Sequence, residues 1–197
     1  MKIKLFGTEI YISFLFCAVL CFMLVVDRTG LIIPTLFAVF IHEAGHLLAM
    51  YAADCQPRAV RLIPTSVQII RGFSPKKHGE IAITICGPAA NIVLFGSLFA
   101  NYLIFGSQQS LKFGILNLVI ATFNLLPVHG LDGGTLLTVV ISKFTDIYKA
   151  ESIVKIITVV FALAIFLLGV YLWASGTVNI SVFIVALYLA VCGLVKK

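Results

Sequence analysis

Apolar residues run through this chain in long stretches with short polar segments between them. The stretches lie at about residues 10–26, 31–51, 80–105, 111–142, 153–174 and 178–195, and the fourth of them is interrupted. A helix of about 20 apolar residues crosses the hydrocarbon core of a bilayer. The pattern therefore predicts an all-α membrane fold of six transmembrane helices, in one polytopic domain over residues 1–197.

The longest polar segment, residues 52–79, contains two short alternating stretches at residues 60–62 and 67–69. A turn-forming sequence, Pro64-Thr65-Ser66, lies between them. Alternation on both sides of a turn is typical of a β-hairpin. An irregular loop at the membrane surface fits the same composition, so the two alternatives stay open.

The fourth apolar stretch breaks at residues 127–134, which read Pro-Val-His-Gly-Leu-Asp-Gly-Gly. Non-helical backbone at membrane depth is tolerated where protein or a water-filled cavity surrounds it. Upstream, residues 87–91 read Gly-Pro-Ala-Ala-Asn, and such small residues let a neighbouring helix approach closely. We expect Asn91 to form hydrogen bonds between helices, with a catalytic or substrate-binding role as the alternative.

Composition places the chain in a membrane. Hydrophobic residues occupy 61% of the 197 positions and charged residues 11%, whereas about 25% of residues are charged in soluble domains. The mean hydropathy of +1.12 is too high for a water-soluble protein. Most of the five cysteines lie in apolar stretches without other metal ligands nearby, and we interpret them as small core residues.

The net charge of +6 indicates orientation and not a nucleic-acid partner, because the basic residues lie between the apolar stretches. With six spans, both termini share one side of the membrane. Twelve of the fourteen basic residues fall on that side: Lys2, Lys4, Arg58, Arg61, Arg71, Lys76, Lys77, Lys143, Lys149, Lys155, Lys196 and Lys197. The positive-inside rule then puts both termini in the cytoplasm.

The second apolar stretch contains the motif His-Glu-Ala-Gly-His at residues 42–46. Histidines four residues apart lie on one face of a helix, one turn apart, so both imidazoles can reach one zinc ion. Glu43 then lies beside the ion as a general base. Ionisable side chains inside a membrane span are costly and mark functional sites, so the motif predicts a metal centre.

A third ligand is still needed, and Asp132 in the broken fourth stretch is the preferred candidate. At about 1.5 Å per residue, His46 and His42 lie roughly 7 Å and 13 Å from the cytoplasmic end of their span, and Asp132 about 16 Å from the end of its own. These similar depths favour a shared site. His129, three residues before Asp132, is the rival ligand; otherwise it donates a hydrogen bond to a ligand, acts as a gate or is a loop residue.

Two imidazoles and a carboxylate leave the fourth position of a tetrahedral Zn²⁺ to water, whose pKa falls to about 7. Glu43 can take a proton from that water and pass it to the leaving amine of a peptide bond. Residues 60–70 offer a strand edge that can hold an extended substrate. Asn124, just before the break, is a candidate for binding substrate backbone or a developing oxyanion.

At these residues the chain resembles the site-2 protease family of intramembrane zinc metalloproteases. The matching elements, in order, are residues 42–46, residues 87–91 and residues 124–134, which begin Asn-Leu-Leu-Pro and end Leu-Asp-Gly-Gly. They cover spans two to four, which form the three-helix catalytic core in that family.

The resemblance also implies roles for individual residues. His42, His46 and Asp132 correspond to the family's zinc ligands, Glu43 to its catalytic acid and base, and Asn124 to an asparagine linked to substrate handling. The small size and six-span plan are most similar to the sporulation stage IV FB branch, whose enzymes release a membrane-tethered transcription factor precursor. We expect neither that branch's C-terminal nucleotide-sensing domain nor the PDZ domain of other branches.

We therefore expect an enzyme of the bacterial cell membrane that hydrolyses peptide bonds of membrane-embedded or membrane-tethered proteins near the cytoplasmic face. Its expected partners are the bilayer, the substrate, and a regulatory membrane protein or a second copy of the chain. The alternative is a non-hydrolytic metal-binding membrane protein, such as a pseudoprotease or a zinc carrier. Glu43 separates the two, because a carrier needs no carboxylate beside the ion that does not bind it.

Overall fold

The structure is a computed structural model that describes residues 2–5, 8–55, 57–63, 66–71, 77–176 and 180–194. Its elements, in chain order, are β1 (Lys2–Leu5), β2 (Thr8–Ile12), α1 (Phe14–Val26), α2 (Ile32–Ala52), β3 (Pro57–Ile63), β4 (Ser66–Arg71), α3 (Lys77–Phe105), α4 (Gln108–Asn124), α5 (Asp132–Ile141), α6 (Ile147–Ala174) and α7 (Ile180–Leu194). They fall into two compact units, Met1–Thr122 and Phe123–Lys197.

The strands of the first unit form one sheet in the order β1, β2, β3, β4. The outer pairs are antiparallel and the central pair, β2 with β3, is parallel. The β3–β4 pair, in which Leu62 pairs with Val67, is the hairpin that the alternation predicts, so this alternative is confirmed. Of the predicted turn, Pro64 and Thr65 lie outside the described residues.

The predicted start of the first span at residue 10 is wrong. Ile10, Tyr11 and Ile12 belong to β2, where Ile10 pairs with Val60 of β3, and α1 begins only at Phe14. β-branched and aromatic residues favour strands, and an apolar run alone does not distinguish a strand from a helix. The all-α prediction is therefore corrected to a mainly helical fold that includes a four-stranded sheet.

A single carboxylate closes the turn between α1 and α2. Asp27 accepts hydrogen bonds from the backbone and the hydroxyl of Thr29, both at 2.8 Å, from the Gly30 N–H at 2.9 Å and from the Ile32 N–H at 3.0 Å. These donors, Ile32 first and the Thr29 hydroxyl next, lower the pKa of Asp27 from 3.8 to about 2. Asp27 therefore stabilises the turn in its ionised form.

Two helices of the first unit, α2 and α3, pack closely against each other. A Cβ atom at Gly45 of α2 would overlap the backbone carbonyl of Cys86 in α3, so this approach requires glycine. Met50 near the end of α2, Cys55 just after it and Ile83 of α3 form a buried apolar cluster. The first unit thereby fixes the two helices that carry the histidine pair and the Gly-Pro-Ala-Ala-Asn segment.

In the second unit, α6 packs against α7, and the segment that precedes α5 contributes to the same core. Val128 and Leu131 are buried in one cluster with Ala162 of α6 and Leu189 of α7. Gly130, between them, has a φ of +95°, a left-handed conformation that glycine adopts without strain. The predicted interruption of the fourth apolar stretch thus corresponds to residues 125–131, between α4 and α5.

Among the described residues, the helices that are long and apolar enough to cross a membrane are Ile32–Ala52, Gly79–Phe105 and Ile147–Ala174. Shorter apolar helices cover Phe14–Val26, Asp132–Ile141 and Ile180–Gly193. The 13 residues of α1 reach only about 20 Å at about 1.5 Å per residue. These helices indicate a multi-pass membrane protein. The other spans predicted from the sequence stay predictions.

Candidate metal centre

Two imidazoles face each other on one turn of α2. His42 and His46 expose only 5% and 9% of their surface, and their Nε2 atoms lie 3.2 Å apart. The ring centroids are 4.8 Å apart and the ring planes meet at 84°. The spacing of four residues predicts this arrangement, because such residues are neighbours on one helix face.

The far nitrogen of His46 is held by α3. Nδ1 of His46 lies 2.8 Å from the backbone carbonyl oxygen of Ile83. A carbonyl oxygen only accepts hydrogen bonds, so Nδ1 carries the proton of the neutral ring and Nε2 carries its free lone pair. The ring also lies directly over Gly87, where a Cβ atom would overlap the imidazole. The small residue at position 87 therefore makes the space that the His46 ring occupies.

The far nitrogen of His42 is held by a side chain of the same helix, α3. Nδ1 of His42 lies 2.9 Å from Oδ1 of Asn91. The Asn91 amide nitrogen donates to the carbonyl of Ala38 at 3.0 Å and to Oδ1 of Asn117 in α4 at 2.9 Å. Because the amide hydrogens face these two oxygens, Oδ1 of Asn91 accepts from His42, and His42 too carries its proton on Nδ1.

When both rings are neutral, their Nε2 atoms are therefore the nitrogens with free lone pairs, and these atoms lie 3.2 Å apart inside the protein. Two lone pairs at this distance repel each other, and a shared cation converts the repulsion into attraction. Neutral imidazole with its other nitrogen hydrogen-bonded to a carbonyl or side-chain oxygen is the usual state of a metal-binding histidine. The donor chemistry of this pair thus fits a metal ion such as Zn²⁺.

Glu43 follows His42 directly in α2 and is half-buried. This position keeps its carboxylate on the same turn as the histidine pair and partly shielded from solvent. It is the place that the motif predicts for a general base.

Asp132 is the first residue of α5, in the second unit, and is half-buried. A carboxylate in the first turn of a helix is stabilised by the helix dipole. The glycines that follow it permit a tight entry into α5, since Cβ atoms at Gly133 and Gly134 would overlap the backbone of Leu125 and Val128. The backbone of residues 125–134 thus fixes where the Asp132 side chain begins.

The other two candidate residues of the second unit, Asn124 and His129, are also half-buried. Asn124 is the last residue of α4. The backbone N–H of His129 donates to the hydroxyl of Thr158 at 2.7 Å, and this hydroxyl donates to the carbonyl of Val154 at 2.8 Å. The segment before α5 is thereby anchored to α6 at His129.

The sequence motifs do not identify two residues that hold candidate site residues in place. Asn117 accepts a hydrogen bond from Asn91, and Thr158 accepts one from the His129 backbone. Both are buried, at 3% and 0% exposure, and each is a single polar residue within an apolar run. The available signal is that a buried polar group requires a hydrogen-bond partner. That rule singles out the residues but does not name their partners.

Residues 106–168 match the family model described as Peptidase family M50. A zinc metalloprotease of Methanocaldococcus jannaschii is 27% identical over 197 residues, which cover 95% of this chain and 56% of that protein. Stage IV sporulation protein FB of Bacillus subtilis is 32% identical over 161 residues, which cover 79% of this chain and 54% of that protein. The chain thus spans about half the length of these relatives.

The solved structure of a site-2 protease from Methanocaldococcus jannaschii has the same fold, with a TM-score of 0.74 and 24% sequence identity. The likeness covers 100% of this chain and 97% of that one. The family match includes Asn124 and Asp132, and the paired histidines have the donor chemistry of a zinc centre. The chain is therefore similar to members of Peptidase family M50, and its fold is that of a site-2 protease.

Proposed function

We propose that this chain is an intramembrane zinc metalloendopeptidase. The observation that carries the proposal is the pair of unprotonated Nε2 atoms, 3.2 Å apart, on His42 and His46. The family match and the relatives named as zinc metalloproteases point to the same metal. Catalytic zinc sites typically combine two or three imidazoles with an open position for water.

We further propose that Asp132 completes the zinc site. His42, His46 and Asp132 each offer one ligand atom for a metal ion, and two histidines with one carboxylate are a recurrent donor set of zinc peptidases. The carboxylate of this set favours Asp132 over His129 as the third ligand. When bound, the zinc ion polarises the substrate carbonyl and lowers the pKa of water.

We assign to Glu43 the transfer of a proton from water to the leaving amine. Its carboxylate takes a proton from the attacking water and then gives it to the amine that leaves as the C–N bond breaks. The half-buried position next to His42 suits this role, because it keeps the carboxylate on the turn of α2 that carries the proposed zinc ligands.

The substrates in this proposal are membrane-embedded or membrane-tethered proteins, cut near the cytoplasmic face of a bacterial cell membrane. Residues 1–197 act as one peptidase domain with six spans and both termini in the cytoplasm. Supporting this, three described helices have the length and hydropathy of spans. The shorter α1 and α7, and the broken pair α4 and α5, supply the others. A regulatory membrane protein or a second copy of the chain completes the assembly.

The substrate backbone is proposed to pair with β4 and not with β3. Among the described strands, β3 lies between β2 and β4, whereas β4 pairs with β3 alone. An edge strand presents backbone donors and acceptors to an extended peptide. Asn124, at the end of α4, is the proposed contact to substrate backbone. Asn91 is assigned to the histidine site instead, because its amide is bound among the helices.

The experiment compares zinc content and cleavage of a coexpressed membrane-tethered protein in the wild type and in Glu43→Gln. Glutamine keeps the size of the side chain but cannot shuttle the proton. We expect equal zinc content and a loss of cleavage of at least about 100-fold. Zinc bound by both proteins with no cleavage of any tethered protein by either would favour the carrier or pseudoprotease. Undiminished cleavage by Glu43→Gln would refute the role of Glu43.

A further inference from the structure

Two buried asparagines connect α2, α3 and α4 of the first unit. Asn91 is 0% exposed and Asn117 is 3% exposed. Burying an amide among apolar helices is costly unless its donors and acceptors are satisfied. Asn117 is not adjacent to any residue of the catalytic motifs along the chain, so its burial calls for a separate physical reason.

Two backbone carbonyls, which can only accept hydrogen bonds, fix the direction of this network. Nδ2 of Asn117 lies 2.8 Å from the carbonyl oxygen of Phe113, so Oδ1 of Asn117 faces Asn91. Nδ2 of Asn91 lies 3.0 Å from the carbonyl oxygen of Ala38 and 2.9 Å from Oδ1 of Asn117. Both oxygens hold the amide nitrogen of Asn91 on their side and leave Oδ1 of Asn91 facing His42.

A rotated Asn91 amide would have the opposite effect on the histidine. Its oxygen would then face the two oxygens of Ala38 and Asn117, and its NH₂ group would face Nδ1 of His42. Nδ1 would become the acceptor, and the proton of the neutral ring would move to Nε2, the nitrogen that faces His46. A protonated Nε2 cannot bind a metal ion.

We propose that Asn117 is a positioning residue that locks the Asn91 amide and thereby keeps the proton of His42 on Nδ1. The inference extends the proposed zinc site, because the locked tautomer leaves Nε2 of His42 as the ligand atom. Without Asn117, the Ala38 carbonyl is the one remaining oxygen among the described residues that holds the amide nitrogen and opposes rotation. The proposal adds a residue of α4 to a site whose histidines both lie on α2.

The test observes the His42 tautomer directly by ¹⁵N NMR of the full chain in detergent micelles. The protein carries ¹⁵N-labelled histidine, is freed of metal with a chelator, and is measured at about pH 8, above the ordinary histidine pKa of about 6.5. The His42 signals are those lost in His42→Gln. For the wild type we expect a protonated Nδ1 in His42.

Asn117→Leu removes the oxygen that faces Asn91 and keeps the branched shape of the side chain. We expect it to shift His42 partly or wholly to the Nε2-protonated form and to weaken Zn²⁺ binding about 10- to 100-fold, as loss of outer partners of metal ligands typically does. Asn117→Asp retains an oxygen toward Asn91 and should keep the wild-type tautomer. If Asn117→Leu does not fold, Asn117→Ala removes the same oxygen and carries the same expectation.

Thr122→Val on the same helix is the control, because in the described part of the chain the Thr122 hydroxyl donates to backbone carbonyls of α4. It should leave the His42 signals unchanged. A wild-type tautomer and wild-type zinc affinity in Asn117→Leu would overturn the inference, and so would a wild-type His42 that carries its proton on Nε2. If the wild-type protein shows the expected tautomers but does not bind zinc, the proposed function is contradicted and the inference about Asn117 is not.

Discussion

The Nε2 atoms of His42 and His46 lie 3.2 Å apart, and in the neutral rings both carry free lone pairs because each Nδ1 donates to an oxygen on α3. The folded protein therefore holds two lone pairs in mutual repulsion at a buried position. A cation that binds them both removes this repulsion and binds the folded state more tightly than the unfolded chain. We therefore expect the stability of the protein to depend on metal.

We expect removal of zinc by a chelator to lower the melting temperature of the protein in detergent. A ligand at 100 times its Kd stabilises the folded state by about 2.7 kcal/mol, which corresponds to several degrees for a chain of this size. Thermal unfolding followed by circular dichroism, with and without Zn²⁺, measures the shift. His46→Gln should abolish it, and a full shift in this variant would contradict the assignment of His46 as a ligand.

The fit of His46 against Gly87 gives a second prediction. Alanine at position 87 places a Cβ atom where the imidazole now lies, so the ring must turn away from its hydrogen bond to Ile83. We expect Gly87→Ala to weaken zinc binding about 10- to 100-fold, as measured by titration with a competing chelator.

Gly96→Ala is the matched control, because it lies on the same helix and a Cβ atom there meets nothing within 4 Å. Its zinc affinity should equal that of the wild type. Equal affinity in Gly87→Ala as well would show that the ring has room to move without losing its metal.

The parts of the fold that the sequence predicts are those with local patterns. The four-residue spacing places His42 and His46 together, and the alternation at residues 60–62 and 67–69 predicts the β3–β4 hairpin. In contrast, Ile10 pairs with Val60, fifty residues away, and the apolar run that begins at Ile10 is as compatible with a helix as with a strand. Local apolar composition therefore predicts a helix where long-range pairing forms a sheet.

In the candidate site too, local sequence patterns predict some residues, and only the packing of the helices reveals the others. The motifs identify Glu43 and Asp132 as candidates because residue type and spacing carry their chemistry. The partners Asn117 and Thr158 depend on which helices are neighbours, which a single sequence does not determine. Their buried hydrogen bonds, to Asn91 and to the His129 backbone, are visible only in the packed structure.

The anchor between Thr158 and His129 gives a third prediction. Thr158→Val keeps the shape of the side chain but removes the oxygen that accepts the His129 N–H. An unsatisfied buried donor costs about 1–3 kcal/mol, so the free energy of unfolding should fall by about that amount and the His129 amide should exchange hydrogen faster. Mass spectrometry of hydrogen exchange over residues 125–134 measures the second effect.

Thr158→Ser restores the hydroxyl and should restore slow exchange at His129. If Thr158→Val protects the amide as well as the wild type does, then water or another acceptor takes over the role and the anchor is not specific to Thr158.

The turn at Asp27 predicts a defined dependence on pH. Its pKa is lowered in the folded state to about 2 from 3.8, so the ionised form stabilises the folded protein. The contribution is full above pH 3.8 and is lost as the pH falls through about 2.

Asp27→Asn lacks the second acceptor oxygen, which binds the Ile32 N–H. We therefore expect this variant to unfold at a lower temperature than the wild type at pH 6, and the difference to shrink steadily between about pH 4 and pH 2. Thermal unfolding of both proteins across this range measures the effect, and a constant difference down to pH 2 would show that the carboxylate charge is not its cause.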